Sequence, residues 1–293
     1  MRYFGSVAFF RHLIILALLL VAVLSGKYLA DVFIHKEPPK IKKERVTDLQ
    51  YDKKTLSEYD NTAKPASSFH YQGAYTELYR AAVPERTLQA GAVYLTFDDG
   101  PSKYTHNFLD ILKKHHIQAT FFLVGVNAQK FPEVVKRIMY EGHAIGIHTH
   151  SHRYNQIYTD VESYLRDFSM AEDTIYGITG DKCAIFRFPG GSINVFNYRI
   201  YGELTAEMLR RGFKFHDWNI SARDAVRKGM RKNIIENVMN NVKKNQPNIV
   251  LMHDTSELSL VSLEQIILLL KKENYIFKAI NGEDRPVTFT FTK

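Results

Sequence analysis

Cysteine is nearly absent from this sequence, since Cys183 is the only one among 293 residues. An internal disulfide is therefore excluded. The residues around Cys183 include no activating base, so we expect it to be a small buried core residue rather than a nucleophile. With 45% hydrophobic residues, the chain is long enough for one domain with a real core and for additional segments.

The N-terminus lacks an Ala-x-Ala cleavage site and an apolar run of full membrane-spanning length. Leu13–Leu24 contains twelve apolar residues in a row, a length typical of a signal-peptide core, but apolar residues resume after Lys27. We predict an apolar helix within residues 1–35 that acts as an uncleaved single-pass membrane anchor, with a cleaved signal as the alternative. Because Arg2 and Arg11 precede the run, we expect the rest of the chain to lie outside the cytoplasm, anchored or secreted.

Acidic residues are fewer than basic ones: 31 Asp and Glu residues against 39 Lys and Arg residues give a net charge of +8. This balance suits nucleic acid, an anionic membrane or a cell-wall polymer. The lysines are not interleaved with an aromatic platform, so we expect no nucleic-acid partner, and no obligate protein partner is evident. Residues 36–89 lack sustained periodicity and contain Pro38-Pro39, which predicts a polar spacer.

Internal repeats are also absent, but from Gly91 onward apolar strands and amphipathic helices alternate. The predicted strands are 92–97, 119–124, 144–147, 184–188, 213–218, 249–252 and 275–280. The predicted helices begin near residues 104, 132, 159, 198, 234 and 260, and Thr159–Glu162 matches a capping box. This alternation predicts an α/β domain of parallel strands with helical crossovers over residues 90–280, followed by a tail at 281–293.

Ionisable residues follow nearly every predicted strand. In a barrel of parallel strands, groups at the carboxyl ends of the strands form the site of chemistry. These groups are Asp98 and Asp99 after the first strand, His148, His150 and His152 after the third, Arg187 at the fourth, Asp217 and Asp224 after the fifth, and His253 and Asp254 after the sixth. The pattern favours an enzyme active site, because chance placement would scatter such residues over both ends.

The spacing of His148 and His152 allows both to face one way and to share a metal ion. With one carboxylate they would form a His-His-Asp set that leaves positions open for water and substrate. The first histidine is followed by Thr149, not Glu, so this is not a zincin helix. His150 points differently and is left outside the ligand set, and a solvated histidine loop remains the alternative.

Four ordered motifs resemble those of the polysaccharide deacetylase family, which is carbohydrate esterase family four and is named for the NodB homology domain. The motifs are Thr96-Phe97-Asp98-Asp99-Gly100, His148-Thr149-x-x-His152, Arg187-x-Pro189 and Ile249-x-Leu251-x-His253-Asp254. The resemblance covers residues 90 to 280. It implies a distorted (β/α) barrel, and four motifs in order are a strong signal.

The resemblance also implies a role for each matching residue. Asp98 would be the catalytic base, and Arg187 would orient it. Asp99, His148 and His152 would bind a divalent metal, zinc by default, with cobalt, nickel or iron as alternatives. His253 would be the catalytic acid, tuned by Asp224, and Leu251 would line a pocket for the acetyl methyl group.

This sequence departs from the family pattern at two positions. Gly190 stands where the family often has tyrosine, so a substrate-contacting ring is missing, although the backbone N–H of Gly190 can still serve the oxyanion. Ala225 stands where a tryptophan often follows the Asp224 position, and Trp218 is a candidate replacement wall. These departures concern the sugar-binding side and not the metal and base assignments.

The resemblance implies a metal-dependent N-deacetylase acting on N-acetylglucosamine in a cell-surface polymer, with peptidoglycan as the first substrate. The alternatives are chitin oligomers, poly-N-acetylglucosamine or O-acetylated xylan, or a catalytically silent glycan-binding barrel. The complete set of a base, three metal ligands and an acid argues against the silent barrel, because a binding protein has no need of all five. Amide hydrolysis at neutral pH fits this set, since a metal polarises the carbonyl and an acid protonates the leaving amine.

Overall fold

The computed structural model describes residues 69–81, 83–225 and 231–289. The predicted apolar helix within residues 1–35 and most of the predicted spacer lie outside the described residues. Within these residues, no helix is both long and apolar enough to cross a membrane.

A sheet of eight parallel strands forms the centre of the described chain. The strands are β1 (Ala92–Asp98), β2 (Thr120–Leu123), β3 (Ala144–Ile147), β4 (Ile185–Phe186), β5 (Lys214–Phe215), β6 (Ile220–Ser221), β7 (Asn248–His253) and β8 (Ile276–Phe277). Their order is β5-β4-β3-β2-β1-β7-β6, and β8 pairs with the first residues of β1, beyond the reach of β2. The sheet is a distorted barrel that stays open, because β5 and β6 form no described pair.

In residues 69–81, 83–225 and 231–289, eight α-helices connect these strands. They are α1 (Thr105–Lys114), α2 (Gly125–Lys130), α3 (Pro132–Tyr140), α4 (Tyr154–Ile157), α5 (Val161–Thr179), α6 (Tyr201–Arg210), α7 (Arg231–Met239) and α8 (Glu257–Lys272). Pro132 occupies the first turn of α3, where its missing N–H costs no hydrogen bond. The alternation confirms the predicted α/β class with parallel strands.

The two faces of β1 have different environments because side chains alternate along a strand. Val93, Leu95 and Phe97 pack into the large core beneath the helices. Tyr94 points to the opposite face, called here the inner face, where it packs with Phe122, Ile249 and other buried residues. Thr96 and Asp98 follow Tyr94 at intervals of two, so the inner face carries Asp98 at the carboxyl end of the strand.

The predicted fifth strand, 213–218, is wrong as a single element. The chain forms β5 and then, five residues after that strand, β6 on the opposite edge of the sheet. Asp217 lies between the two strands, and its N–H donates to the carbonyl of Val287 at 2.7 Å. This bond to the C-terminal segment takes the N–H away from the sheet, so the apolar run cannot continue as one strand.

The predicted capping box at Thr159 is also wrong. Asp160 caps α5 by accepting a hydrogen bond from the N–H of Ser163 at 2.7 Å. The hydroxyl of Thr159 instead donates to carbonyls of the preceding turn. Two short helices, α2 and α4, were not predicted, since four to six residues give too little periodicity to detect.

Residues on both sides of the predicted domain pack against it. Arg211 is fully buried, and it donates hydrogen bonds to the carbonyls of Tyr71, Ala74 and Tyr75. At the other end, the N–H of Phe289 donates to the Asp217 carboxylate at 2.7 Å. The last part of the predicted spacer and the first part of the predicted tail are therefore ordered against the sheet and helices.

Candidate active site

The inner face brings residues from β1 and β7 together in layers. Asp98 pairs in register with His253 at the carboxyl edge, Thr96 pairs with Leu251 below it, and Tyr94 pairs with Ile249 below that. Because these residues alternate with core residues on both strands, their side chains share one face. The predicted base, the predicted acid and the predicted methyl-pocket residue thus lie on two adjacent strands.

Arg187 fixes the carboxylate of Asp98. The guanidinium is fully buried and donates to Asp98 Oδ1 at 2.8 Å and to Thr96 Oγ1 at 2.7 Å. Its other donors reach the carbonyls of His216 at 2.7 Å and Asp217 at 3.0 Å. The charge is therefore compensated and every guanidinium nitrogen is hydrogen-bonded, which holds Asp98 in one orientation.

Asp99 faces away from Asp98 because the chain turns sharply after β1. Its φ of 73° lies in the left-handed region, which is unusual for a residue with a side chain. Asp99 Oδ1 lies 3.1 Å from His152 Nε2 and 3.4 Å from His148 Nε2. These three side chains offer ligand atoms that all lie within 4.8 Å of one another.

The orientation of His148 supports a metal-binding role for this triad. His148 Nδ1 lies 2.8 Å from the carbonyl of Arg187, which can only accept a hydrogen bond, so Nδ1 carries the proton. Nε2 then presents its lone pair towards Asp99, as in histidines that bind a metal. Two imidazoles and a carboxylate around one point fit a divalent cation such as zinc.

Charge around Asp99 favours the ionised carboxylate that a metal ligand requires. Burial alone would raise the pKa of Asp99, but hydrogen bonds to His148 and His152 and their charges hold it well below its usual range. His150 lies apart from this triad. A Cβ built on Gly125 would be 2.3 Å from His150 Nδ1, which shows that the His150 ring packs on the backbone of α2.

His253 and Asp224 form a hydrogen-bonded pair. His253 Nδ1 donates to Asp224 Oδ1 at 2.9 Å, and the N–H of His253 donates to Asp224 Oδ2 at 2.7 Å. The hydroxyl of Ser259 donates to the same carboxylate. Burial alone would lower the pKa of His253, but the hydrogen bond and charge of Asp224, together with Asp98 and Asp99, raise it to about 9.

Asp254 is a residue for which the sequence analysis assigned no role. It is fully buried, and burial raises its pKa to about 7. Thr105 Oγ1 donates to Asp254 Oδ2 at 2.6 Å, and Ser102 Oγ donates to its carbonyl at 2.6 Å. Gly100 leaves the space for this carboxylate, since a Cβ there would be 2.0 Å from Oδ2. Asp254 therefore secures the turn that carries Asp98 and Asp99.

The ring of Tyr154 lies next to Gly190, where the resemblance predicted a missing ring. Gly190 has a φ of 80°, and a Cβ there would be 2.9 Å from Tyr154 Cε1. The ring of Tyr154 packs edge-on against His152, with centroids 5.3 Å apart. The sequence analysis missed Tyr154, whose only signal is its position two residues after His152.

Trp218 lies beside the buried guanidinium, not at the centre of the site. Its ring centroid is 5.6 Å from Arg187 Cζ, and it packs edge-on against Phe289. Gly191 makes room for the indole, since a Cβ there would be 3.2 Å from Trp218 Cη2. Trp218, the predicted replacement wall of the sugar-binding side, is therefore a neighbour of Arg187. Phe289 contacts the indole of Trp218 as well.

Comparisons with known proteins show which proteins this chain is similar to. The family described as polysaccharide deacetylase matches residues 85–209. A peptidoglycan-N-acetylglucosamine deacetylase of Bacillus cereus is 34% identical over 203 residues, which are 67% of this chain and 72% of the relative. The peptidoglycan-N-acetylmuramic acid deacetylase PdaA of Bacillus subtilis is 30% identical, covering 71% of this chain and 74% of PdaA.

A solved structure shows the same fold. The catalytic domain of peptidoglycan N-acetylglucosamine deacetylase from Eubacterium rectale superposes with a TM-score of 0.68 at 32% identity, covering 73% of this chain and 98% of that domain. Together with the ordered motifs and the inner-face residues, these similarities identify the chain as a member of the polysaccharide deacetylase family and a hydrolase of the deacetylase type.

Proposed function

We propose that this protein removes the acetyl group from N-acetylglucosamine residues of peptidoglycan, in a metal-dependent hydrolysis outside the cytoplasm. The observation that carries the proposal is that the Asp99, His148 and His152 triad lies beside two proton-transfer groups. Asp98 Oδ2 is 3.8 Å from His148 Nε2. His253 is the register partner of Asp98 on the adjacent strand.

In the proposed reaction, Asp98 accepts a proton from the attacking water while Arg187 holds the carboxylate in place. His253 then donates a proton to the leaving amine, so that the C–N bond breaks to give acetate and a free amino group. A pKa of about 9 keeps His253 protonated at neutral pH, as this role requires. When bound to the triad, a divalent metal would polarise the acetyl carbonyl and lower the pKa of water.

Leu251 is our candidate for contact with the acetyl methyl group. It belongs to the layer directly below His253 on the inner face and is nearly buried. An apolar side chain at this depth suits contact with a methyl group. The backbone N–H of Gly190 remains our candidate donor to the oxyanion.

The sugar is proposed from the similarity to relatives named for N-acetylglucosamine in peptidoglycan. N-acetylmuramic acid is the second candidate, because PdaA, named for that sugar, is also at least 30% identical. Chitin oligomers, poly-N-acetylglucosamine and acetylated xylan remain alternatives. We also propose that the folded unit extends beyond residues 90–280, since residues 69–81 and 281–289 contact it.

Treatment of muropeptides with the full-length protein tests this proposal. Mass spectrometry should detect a loss of 42 mass units, about one acetyl group, on N-acetylglucosamine, and the loss should stop after chelation of divalent metal. Acetyl loss from muramic acid alone would move the substrate to the second candidate. Peptidoglycan left intact under metal-replete conditions would contradict the proposal.

The compartment needs a separate experiment, because residues 1–35 lie outside the described part of the chain. We propose a single-pass anchor or a secreted form, on the strength of Arg2 and Arg11 before the apolar run. A protease added to intact cells should digest the catalytic domain. Protection until the cells are lysed would contradict an extracytoplasmic location.

A further inference from the structure

Two aromatic rings form a corner beside the metal-binding triad. Tyr154 lies between His152 and Phe196, with ring centroids 5.3 Å and 5.0 Å away. The planes of Tyr154 and Phe196 meet at 60°, so the rings do not cover each other face to face. Because Gly190 has no side chain, Tyr154 can settle against the loop that carries Phe196.

Phe196 is exposed although it is close to the site. About half of its surface, 53%, remains open to solvent, and the neighbouring Val195 is 54% exposed. Single exposed apolar side chains are common, but adjacent ones at the edge of a site point to a ligand. Neither residue contributes to the buried core beneath the helices.

The loop that carries Phe196, residues 189–197, is fixed by hydrogen bonds within the loop and to Asp217. The side-chain oxygen of Asn194 accepts hydrogen bonds from the N–H groups of Phe196 at 2.9 Å and of Asn197 at 3.2 Å. Asn197, which is 1% exposed, donates to the carbonyl of Ser192 at 2.9 Å. Ser192 is in turn hydrogen-bonded to the buried carboxylate of Asp217.

A rigidly held ring in solvent is suited to binding, because little conformational entropy remains to be lost when a ligand arrives. A ligand that stacks on this ring needs an apolar face. It also needs polar groups at its edge, because the side towards the metal-binding triad remains in water. A pyranose ring meets this description, since its C–H groups form a flat face and its hydroxyls point outward.

We propose that Tyr154 and Phe196 form a stacking subsite for the sugar next to the acetylated residue of the glycan strand. The inference rests on the proposed function, because it needs a glycan whose reacting sugar sits at the metal-binding triad. Through these two rings, the protein distinguishes a chain of sugars from a single sugar. The backbone of Gly190 supports the corner from beneath.

Chitin oligomers of one to five sugars are the probe, used with the full-length protein. Binding is measured by calorimetry after chelation, and initial rates of acetate release are measured with metal present. Phe196→Ala should raise both the Kd and the KM for the pentamer by roughly threefold to tenfold, the range expected for one aromatic contact. Phe196→Tyr should restore the wild-type values, and Phe196→Leu should not.

Tyr140→Ala is the matched control, because Tyr140 is 78% exposed and precedes β3 at the opposite end of the strands. Wild-type affinity for the pentamer in Phe196→Ala or in Phe196→Leu would overturn the stacking subsite. An equal loss for the single sugar and the pentamer would overturn its assignment to a neighbouring sugar. Failure of the wild-type protein to deacetylate any glycan would instead count against the proposed function.

Discussion

Asp98 and Asp99 are adjacent in sequence but have different partners in the structure. Asp98 ends β1 on the inner face and pairs with Arg187, whereas Asp99 has a φ of 73° and turns towards His148 and His152. The separation follows from the end of the strand, because the left-handed φ of Asp99 rotates its own side chain out of the alternating pattern. Two acidic residues in a row can therefore serve as a base and as a metal ligand.

We expect Asp99→Ala and His148→Ala to lose bound divalent metal and activity together, since each change removes one of three protein ligands. Metal content by atomic spectroscopy after dialysis checks this. His150→Ala is the control and should keep the metal, because its ring packs on Gly125. Full metal occupancy in His148→Ala would contradict the ligand set.

The pH dependence of the rate follows from the raised pKa of His253. The imidazole must be protonated to act as an acid, so the rate should fall as pH rises through about 9. Asp224→Asn removes the charge that raises this pKa, and the alkaline limb should move to lower pH by roughly 1–2 units. His253→Ala should lose most of the turnover, roughly 100-fold or more.

Metal content is the control for the pairing of His253 with Asp224. In the described hydrogen bonds, Asp224 contacts no member of the metal-binding triad. Asp224→Asn should therefore keep its metal content. An alkaline limb that stays at its wild-type pH in Asp224→Asn would show that Asp224 has only a structural role.

The motifs allowed most residues of the site to be predicted from the sequence, because each is a short local pattern at a strand end. Asp98, Asp99, His148, His152 and His253 belong to this group. Tyr154 could not be predicted, since its contact with Gly190 depends on how a four-residue helix packs against a loop more than thirty residues later. Asp254 lies within a motif, but its burial and its bond to Thr105 are tertiary features that periodicity does not reveal.

At the scale of elements, the long strands and helices were predicted, whereas most of the two-residue strands were predicted with limits that were too wide. β1 and β7 are mostly apolar strands of 7 and 6 residues that pair along their whole overlap. β4, β5, β6 and β8 have 2 residues each, so their limits depend on neighbouring strands and not on their own composition. The split of the predicted fifth strand at Asp217 is one such case.

Arg211, directly after α6, attaches the segment around Tyr71 to the domain. Arg211→Met would leave Glu207 without one of its partners and the carbonyl of Ala74 without a described donor. It would also remove one of the two donors to each of the carbonyls of Tyr71 and Tyr75. We expect a loss of about 3 kcal/mol or more in the free energy of unfolding, measured by urea denaturation. Arg166→Met is the control, because that side chain is 61% exposed, and equal stability of the two variants would contradict this estimate.

At the scale of the whole molecule, the C-terminal segment stands at the opening between β5 and β6. Val287 accepts from Asp217 at 2.7 Å, and the N–H of Phe289 donates to the same residue at 2.7 Å. A chain that ends at Pro286 would lose both bonds and expose the buried N–H of Asp217. We expect its Tm to fall by roughly 5–10 °C in a thermal scan.

The same truncation should reduce activity, since Arg187 donates to the carbonyl of Asp217 at 3.0 Å and also holds Asp98. Phe289→Ala is a milder companion variant, because it removes the ring beside Trp218 but keeps the backbone hydrogen bonds. It should retain more stability than the truncated chain. A truncated chain with wild-type Tm and activity would contradict a structural role for this segment.

The contact between Asp217 and residues 287–289 also bears on the order of biosynthesis. A nascent polypeptide leaves the ribosome or an export channel from its N-terminus, so Asp98 and both triad histidines emerge well before Phe289. The support of Arg187 stays incomplete until residues 287–289 have been released. We therefore expect the hydrolase to acquire its active geometry only after these residues have left the ribosome or the export channel.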